Sequence, residues 1–152
     1  EAVAMMDRII AEVEGDPSYR SAIDASHTAP RAVVADAICL ALRQTAGLLP
    51  VAAMVTYTRS GATSLRAARE RPLVPVLSMT PELGTARRLV LTWGVHSVHA
   101  EDEVADVPDM VTQACAMTRR EGFARAGDVI VIASGMPFGV AGTTNFLHIA
   151  KA

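Results

Sequence analysis

Apolar residues recur at two different periods along the chain, and the change between them marks where one kind of structure gives way to another. Val3, Met6, Ile10 and Val13 step by 3, 4 and 3, which predicts a helix over 1–14 that Gly15, Asp16 and Pro17 bring to an end. Residues 15–29 have no period and are rich in polar residues, so they read as a linker or an ordered loop. Pro30 suits the first turn of a second helix running to about Thr45, with Val34, Ile38 and Ala41 inward and Gly47 just past its end. Beyond Pro50, short apolar runs at 51–56, 75–79, 95–98 and 129–133 lack polar alternation, as strands covered on both faces require. Between them, Leu83, Ala86, Val90 and Trp93, and then Val104, Val107, Val111 and Ala114, step by 3 and 4 within helical segments at 81–93 and 104–122, after a first one at 60–71. Strands alternating with such helices imply right-handed crossovers. The predicted fold is α/β, a five-stranded, mostly parallel sheet with helices on both faces. The glycine-rich stretch before the last run, 144–149, turns the chain back so that this run adds one antiparallel edge strand.

Composition narrows the function. A chain of 152 residues buries roughly two thirds of its unfolded surface and needs no metal or disulfide to hold it. Fourteen basic and sixteen acidic residues are interleaved, so no basic field concentrates nucleic acid or an anionic membrane, and 4% aromatic residues leave few stacking platforms. No apolar stretch approaches the roughly 20 residues of a membrane span. Cys39 and Cys115 read as buried thiols in a reducing cytoplasm rather than as a redox or metal pair. A first residue Glu1, followed by an amphipathic, acid-containing pattern and no signal peptide, reads as a piece cut from a longer chain.

The most informative segment is Thr58, Arg59, Ser60, Gly61, Ala62 and Thr63, which follows a predicted strand and opens a predicted helix. Unpaired N–H groups and the helix dipole favour an anion there, with the Thr58, Ser60 and Thr63 hydroxyls as further donors and Arg59 as a charged clamp. The same pattern also fits a plain helix start, with Ser60 as cap and Gly61 as turn residue. A second glycine-rich stretch, 134–145, follows the strand at 129–133. Either it faces the same crevice beyond the strand ends, or its glycines serve only a hairpin's positive φ. Neither GxxxxGK[ST] nor GxGxxG occurs. His96 and His99, three apart in a strand, face opposite ways and cannot share a metal, while His27 and His148 read as structural. Glu101, Asp102 and Glu103, with Asp106 and Asp109, read as a solvated helix start. No Ser-His-Asp or Cys-His set is present.

Taken in order, a larger pattern emerges. After 58–63 come a basic helix ending Arg71-Pro72, then Pro75-Val76-Leu77-Ser78-Met79-Thr80, then Thr85-Ala86-Arg87-Arg88-Leu89 with Trp93-Gly94-Val95. Gly127-Asp128-Val129-Ile130-Val131-Ile132 and the stretch from Ser134-Gly135 to Gly142-Thr143-Thr144-Asn145 complete the series. In this order and spacing, 50–152 resembles the carboxy-terminal domain of pyruvate kinase, and the opening Glu1-Ala2-Val3-Ala4-Met5-Met6 is similar to the last helix of that family's catalytic barrel. The resemblance implies that 1–29 is a helix and connecting loop from the end of the barrel, and 30–152 an effector domain. It implies that phosphoenolpyruvate, ADP, Mg²⁺ and K⁺ belong to the barrel, that this chain holds no cofactor, and that it transfers no phosphoryl group alone. Nothing in it resembles the barrel's catalytic lysine, arginine or metal-binding carboxylates, and Arg87-Arg88 and Arg119-Arg120 sit inside helical segments.

The implied partners are the chain's own barrel, further copies in a homo-oligomer (a tetramer in the parent), and a phosphorylated small-molecule effector. Thr58 to Thr63 match the family's effector phosphate loop, and Gly139, Val140, Ala141, Gly142 and Thr143 match the loop that closes over the effector. One departure bears on specificity. Relatives that respond to fructose 1,6-bisphosphate place an aromatic and an arginine near the start of the helix after the third strand; here acids and Met110 stand there, and Glu101, Asp102 and Glu103 repel a second phosphate. A sugar monophosphate or AMP is the expected effector. A purely architectural domain and a free-standing phosphate-binding α/β protein are the alternatives.

Overall fold

Strands β1 (Val51–Tyr57), β2 (Val76–Thr80), β3 (Val95–His99), β4 (Val129–Gly135) and β5 (Thr144–Lys151) form one sheet in the order β3-β2-β1-β4-β5. They are seen in a computed structural model that describes every residue except His27, Thr28, Gly139 and Ala141. β1 pairs with β2 and β4, and β2 with β3, all parallel, whereas β5 runs antiparallel to β4 with His148 opposite Ile132. The predicted mixed sheet with one antiparallel edge is therefore present. β1 and β4, in the middle, are buried along nearly their whole length, which is why their sequences run apolar without alternation.

Both faces are covered by helices. On one, Cys39, Leu42 and Ala46 of α3 (Val34–Leu48) and Ala67 of α4 (Ala62–Arg69) pack on Met54, Val76 and Val131. On the other, Met110, Ala114 and Cys115 of α6 (Val107–Arg120) pack on Val55, Leu77, Ile130 and Ile132. Neighbours such as Met54 and Val55 thus serve opposite layers, as the period of two demands. Burial, with help from the Glu70 carboxylate, pushes the Cys39 thiol up to about 12, and burial raises Cys115 as well. Among the described residues no helix is long and apolar enough to cross a membrane.

Two helices pack in a different register from the one their periods suggested. α3 starts at Val34 rather than Pro30 and buries Ala35, Asp36, Cys39, Leu42 and Ala46, while Val34 is 64% exposed and Gly47 lies inside the helix. Apolar residues surround most of α3, so periodicity admits two neighbouring faces and contact with the sheet selects between them. α5 (Leu83–Leu89) likewise buries Thr85, Ala86 and Leu89 and exposes Leu83.

A further correction concerns 15–29, expected as a linker or loop, which contains α2 (Pro17–Ala25). Asp16 caps this helix by accepting from the Ser18 N–H at 2.7 Å, and Pro17 is its first residue. It buries no residue, so it carries no apolar period to be read. Polar contacts hold it instead: Asp24 lies 2.6 Å from Arg43 of α3, and Arg20 donates to the Arg71 carbonyl at 2.7 Å. The expected first helix is α1 (Ala2–Gly15), which also buries nothing and leaves Val3, Met6, Ile10 and Val13 on its surface. Its last turn is tied down by the Trp93 indole N–H, which donates to Glu14 at 2.6 Å, with the Arg71 guanidinium 4.2 Å over the Trp93 ring.

Candidate functional site

β2 and β3 lie to one side of β1, and β4 and β5 to the other. The strand order therefore reverses between β1 and β4, and in an open parallel sheet the crevice forms beyond the carboxyl ends of the strands at that point. The segments leaving β1 and β4 meet there, with Tyr57 in register with Ser134. A cleft is lined by Tyr57, Thr58, Arg59, Ser60 and Thr63 from the first segment and by Ser134, Gly135, Phe138, Val140, Gly142, Thr143 and Thr144 from the second. Its volume is about 30 Å³, room for about two water molecules.

The first wall is built by local hydrogen bonding. Gly61 caps α4 from the left-handed region, at φ 86°, and the Thr58 hydroxyl accepts from its N–H at 3.1 Å. The Ser60 hydroxyl accepts from the Ala62 N–H at 3.4 Å. The loop's own hydroxyls thus satisfy the first amides, while each hydroxyl keeps its own O–H to donate. Beneath them the buried hydroxyls of Thr56, Ser64 and Ser78 form a chain with spacings of 2.7 Å, which fixes α4 against β1 and β2. Gly61 is needed here for its conformation, and a Cβ on it would also meet Leu89 of α5 at 3.3 Å.

The second wall is clasped by Asn145, whose amide accepts from the Met136 N–H and donates to the Met136 carbonyl, both at 2.8 Å. Phe138 meets the Tyr57 ring edge-on at 5.8 Å. The buried Thr63 and Thr144 hydroxyls, 2.7 Å apart, join the two walls at their base. Gly135 lies so close to Thr143 that a Cβ would stand 2.5 Å from its hydroxyl oxygen.

Of the candidate residues, Thr58, Arg59, Ser60, Thr63, Val140, Gly142 and Thr143 line the cleft. Gly61 and Ala62 form the adjoining helix start, and Gly139 and Ala141 lie outside the described residues. Ser134, Gly135, Phe138 and Thr144, which also line it, belong to the glycine-rich stretch 134–145, for which a place in this crevice is one of two readings of the sequence. Tyr57 is not among the candidates, although its place at the end of β1 beside the reversal of order would have found it. Arg59, the expected clamp, is already engaged: its guanidinium pairs with Glu103 and, at 3.4 Å, with Glu82. Those acids stand 44 and 23 residues away along the chain.

The acidic run is therefore more than a solvated helix start. Glu103 reaches Arg59, Asp106 caps α6 by accepting from the Asp109 N–H at 2.8 Å, and Glu101 and Asp102 are exposed. Met110, expected near a second phosphate, is wholly buried in the core under α6.

His96 bonds Glu121 at 3.0 Å and, with Arg120, holds that carboxyl below its usual value; His99 bonds the Pro81 carbonyl at 3.1 Å. His148 stacks on Phe146, and His27 lies outside the described residues. Among the described residues no three His, Cys, Asp or Glu side chains are grouped to hold a metal ion.

Comparison with known proteins gives this arrangement a family. The family described as pyruvate kinase, alpha/beta domain, matches residues 36–150. The chain is 41% identical over 150 residues to the pyruvate kinase of Methylorubrum extorquens, covering 99% of this chain and 31% of that protein. It is 34% identical over 149 residues to that of Geobacillus stearothermophilus, covering 98% and 25%, and 30% identical over 149 residues to that of Clostridium acetobutylicum, covering 98% and 31%. The chain thus spans less than a third of the length of these relatives. The mixed five-stranded sheet, the series of motifs from 58 to 145 and the family match over most of the length agree, and the chain belongs to the pyruvate kinase C-terminal domain family.

Proposed function

We propose that this chain is the effector-binding and subunit-interface domain of a pyruvate kinase, the enzyme that converts phosphoenolpyruvate and ADP to pyruvate and ATP, and that its cleft takes a phosphorylated small molecule. The carrying observation is the convergence of residues 58–63 and the segment after β4 on one cleft where the strand order reverses. Hydroxyls of Thr58, Ser60, Thr143 and Thr144 and the guanidinium of Arg59 line it, a set suited to phosphate oxygens. Because the cleft holds about two waters, it widens to admit a ligand, and Arg59 exchanges Glu82 and Glu103 for the phosphate. The same carboxylates disfavour a second phosphate, which supports a sugar monophosphate or AMP over fructose 1,6-bisphosphate.

In this reading Mg²⁺, K⁺ and phosphoryl transfer belong to the barrel of the parent enzyme, and the chain alone is inactive. The exposed apolar residues of α1 supply a face for that barrel, and the whole acts as a cytoplasmic homo-oligomer.

Titration calorimetry with AMP, ribose 5-phosphate, glucose 6-phosphate and fructose 1,6-bisphosphate tests the proposal. A charge-assisted hydrogen bond contributes about 1.5–3 kcal/mol, and each exposed ion pair that Arg59 gives up offsets about 0.2–1 kcal/mol. Arg59→Ala should therefore weaken monophosphate binding about 10-fold. Heat with the bisphosphate alone would overturn the monophosphate assignment, and heat with none would favour an architectural domain.

A further inference from the structure

Gly142, Thr143 and Thr144 wall a second cavity besides the cleft, of about 470 Å³, whose other sides are the start of α3 and the side chains of Arg31 and Arg66. The charges around it do not balance. Asp36, wholly buried, lies 3.4 Å from Arg31 Nε, 3.4 Å from Arg66 Nε and 3.1 Å from Arg69 Nη2, and Arg69 also reaches Glu70 at 3.0 Å. Among the described residues three guanidiniums here meet two carboxylates, which leaves positive charge in excess beside the cavity. The Arg66 side chain, 26% exposed, lines the cavity, while its Nη1 and the Oδ1 of Asp36 are buried with no hydrogen-bond partner among the described residues. The Arg31 side chain, its Nε 3.4 Å from Asp36, is 71% exposed beside the cavity.

The third component is backbone. α3 begins at Val33 with no side-chain cap, and the Val34 and Ala35 amides, on the cavity wall, find no acceptor among the described residues. The Asp36 carboxylate, which would ordinarily serve a helix start, accepts instead from the Arg31 N–H at 3.1 Å. Excess guanidinium, two amides without an acceptor among the described residues and ample volume thus meet in one place.

We propose that this cavity is a second anion site, which takes a phosphate-class dianion between the Arg31 and Arg66 guanidiniums and the Val34 and Ala35 amides. It stands apart from the cleft assigned above and does not depend on that assignment.

Amide-resolved NMR of the chain, titrated with inorganic phosphate, tests it. The Val34 and Ala35 signals should move saturably. Arg31→Ala, at a mostly exposed side chain, should weaken that response about 10-fold, Arg31→Lys should recover part of it, and Arg59→Ala should leave it unchanged. Signals of 58–63 report on the cleft separately, so failure at one place is distinguishable from failure at the other. Stationary Val34 and Ala35 signals, or an Arg31→Ala titration identical to the parent's, would overturn the proposal.

Discussion

The cleft and the α3 cavity share Gly142, Thr143 and Thr144 and differ in most other respects. The cleft is about 30 Å³, its hydroxyls already bonded to one another and to the loop, and its arginine tied to two carboxylates. The cavity beyond the shared segment is about 470 Å³, with two arginines and two amides that have no acceptor among the described residues. A site whose polar groups satisfy each other stands closed without its ligand and must exchange partners to bind. One with unsatisfied donors stands open and loses little on binding.

The largest departure from this contrast should come at Asp36. Burial pushes its carboxyl up, but the Arg31 amide and the Arg69 and Arg31 guanidiniums outweigh burial and hold it below the usual carboxylate value. Asp36→Asn removes one of the counter-charges from three guanidiniums, and breaking a buried ion cluster from one side is strongly destabilising. Tm should fall by on the order of 10 °C, while phosphate binding at Val34 and Ala35 tightens. A group held low when folded contributes stability above its unfolded value, about 3.9, and loses it as pH falls through the folded value. Thermal melts below about pH 4 should therefore show a loss in the parent that is smaller in Asp36→Asn. An unchanged Tm at neutral pH would refute the idea that Asp36 restrains the arginines.

A smaller effect is expected at Gly135, which tests the shared wall. A Cβ there would lie 2.5 Å from the Thr143 hydroxyl oxygen and 3.0 Å from the Thr143 carbonyl carbon, so Thr143 must shift. Gly135→Ala should cost about 1–3 kcal/mol in denaturant unfolding. It should also weaken phosphate responses on both sides, where Arg31→Ala and Arg59→Ala each weaken one. An effect confined to the cleft would mean that the two sites do not share a rigid segment.

The fold was legible where burial leaves a period in the sequence. β1 and β4 are apolar because both faces are covered, and α6 carries a helical period because one face meets the sheet. That face holds Met110, Ala114, Cys115 and Thr118, however, while Val107 and Val111 are only half-buried. α2 was not legible, since Pro17–Ala25 buries nothing and is held by Asp24 and Arg20 through polar contacts to distant residues. In α3 the period was present but its phase was not, because Val34 and Ala35 are both apolar and only the sheet distinguishes them. The same holds at the sites. The glycine, the hydroxyls and the position after a strand made 58–63 visible. The acids that hold Arg59, and the meeting of Arg31 with Arg66, depend on tertiary folding and left no local mark.

The smallest effect concerns the tie that keeps Arg59 from the cleft. Glu103 is 68% exposed and its pair with Arg59 faces water, so the contact contributes about 0.2–1 kcal/mol. Glu103→Gln should leave unfolding free energy within about 0.5 kcal/mol of the parent. Freed of that competitor, Arg59 should bind a monophosphate in the cleft about 2- to 5-fold more tightly at low ionic strength. The gain should shrink as salt approaches about 1 M, where screening extends over only about 3 Å, and the Val34 and Ala35 signals should respond to phosphate as in the parent. Calorimetry at two salt concentrations reads both. If affinity at low salt is unchanged, Glu103 does not compete with the phosphate for Arg59; a gain that persists at high salt would place the effect in the shape of the cleft rather than its charge.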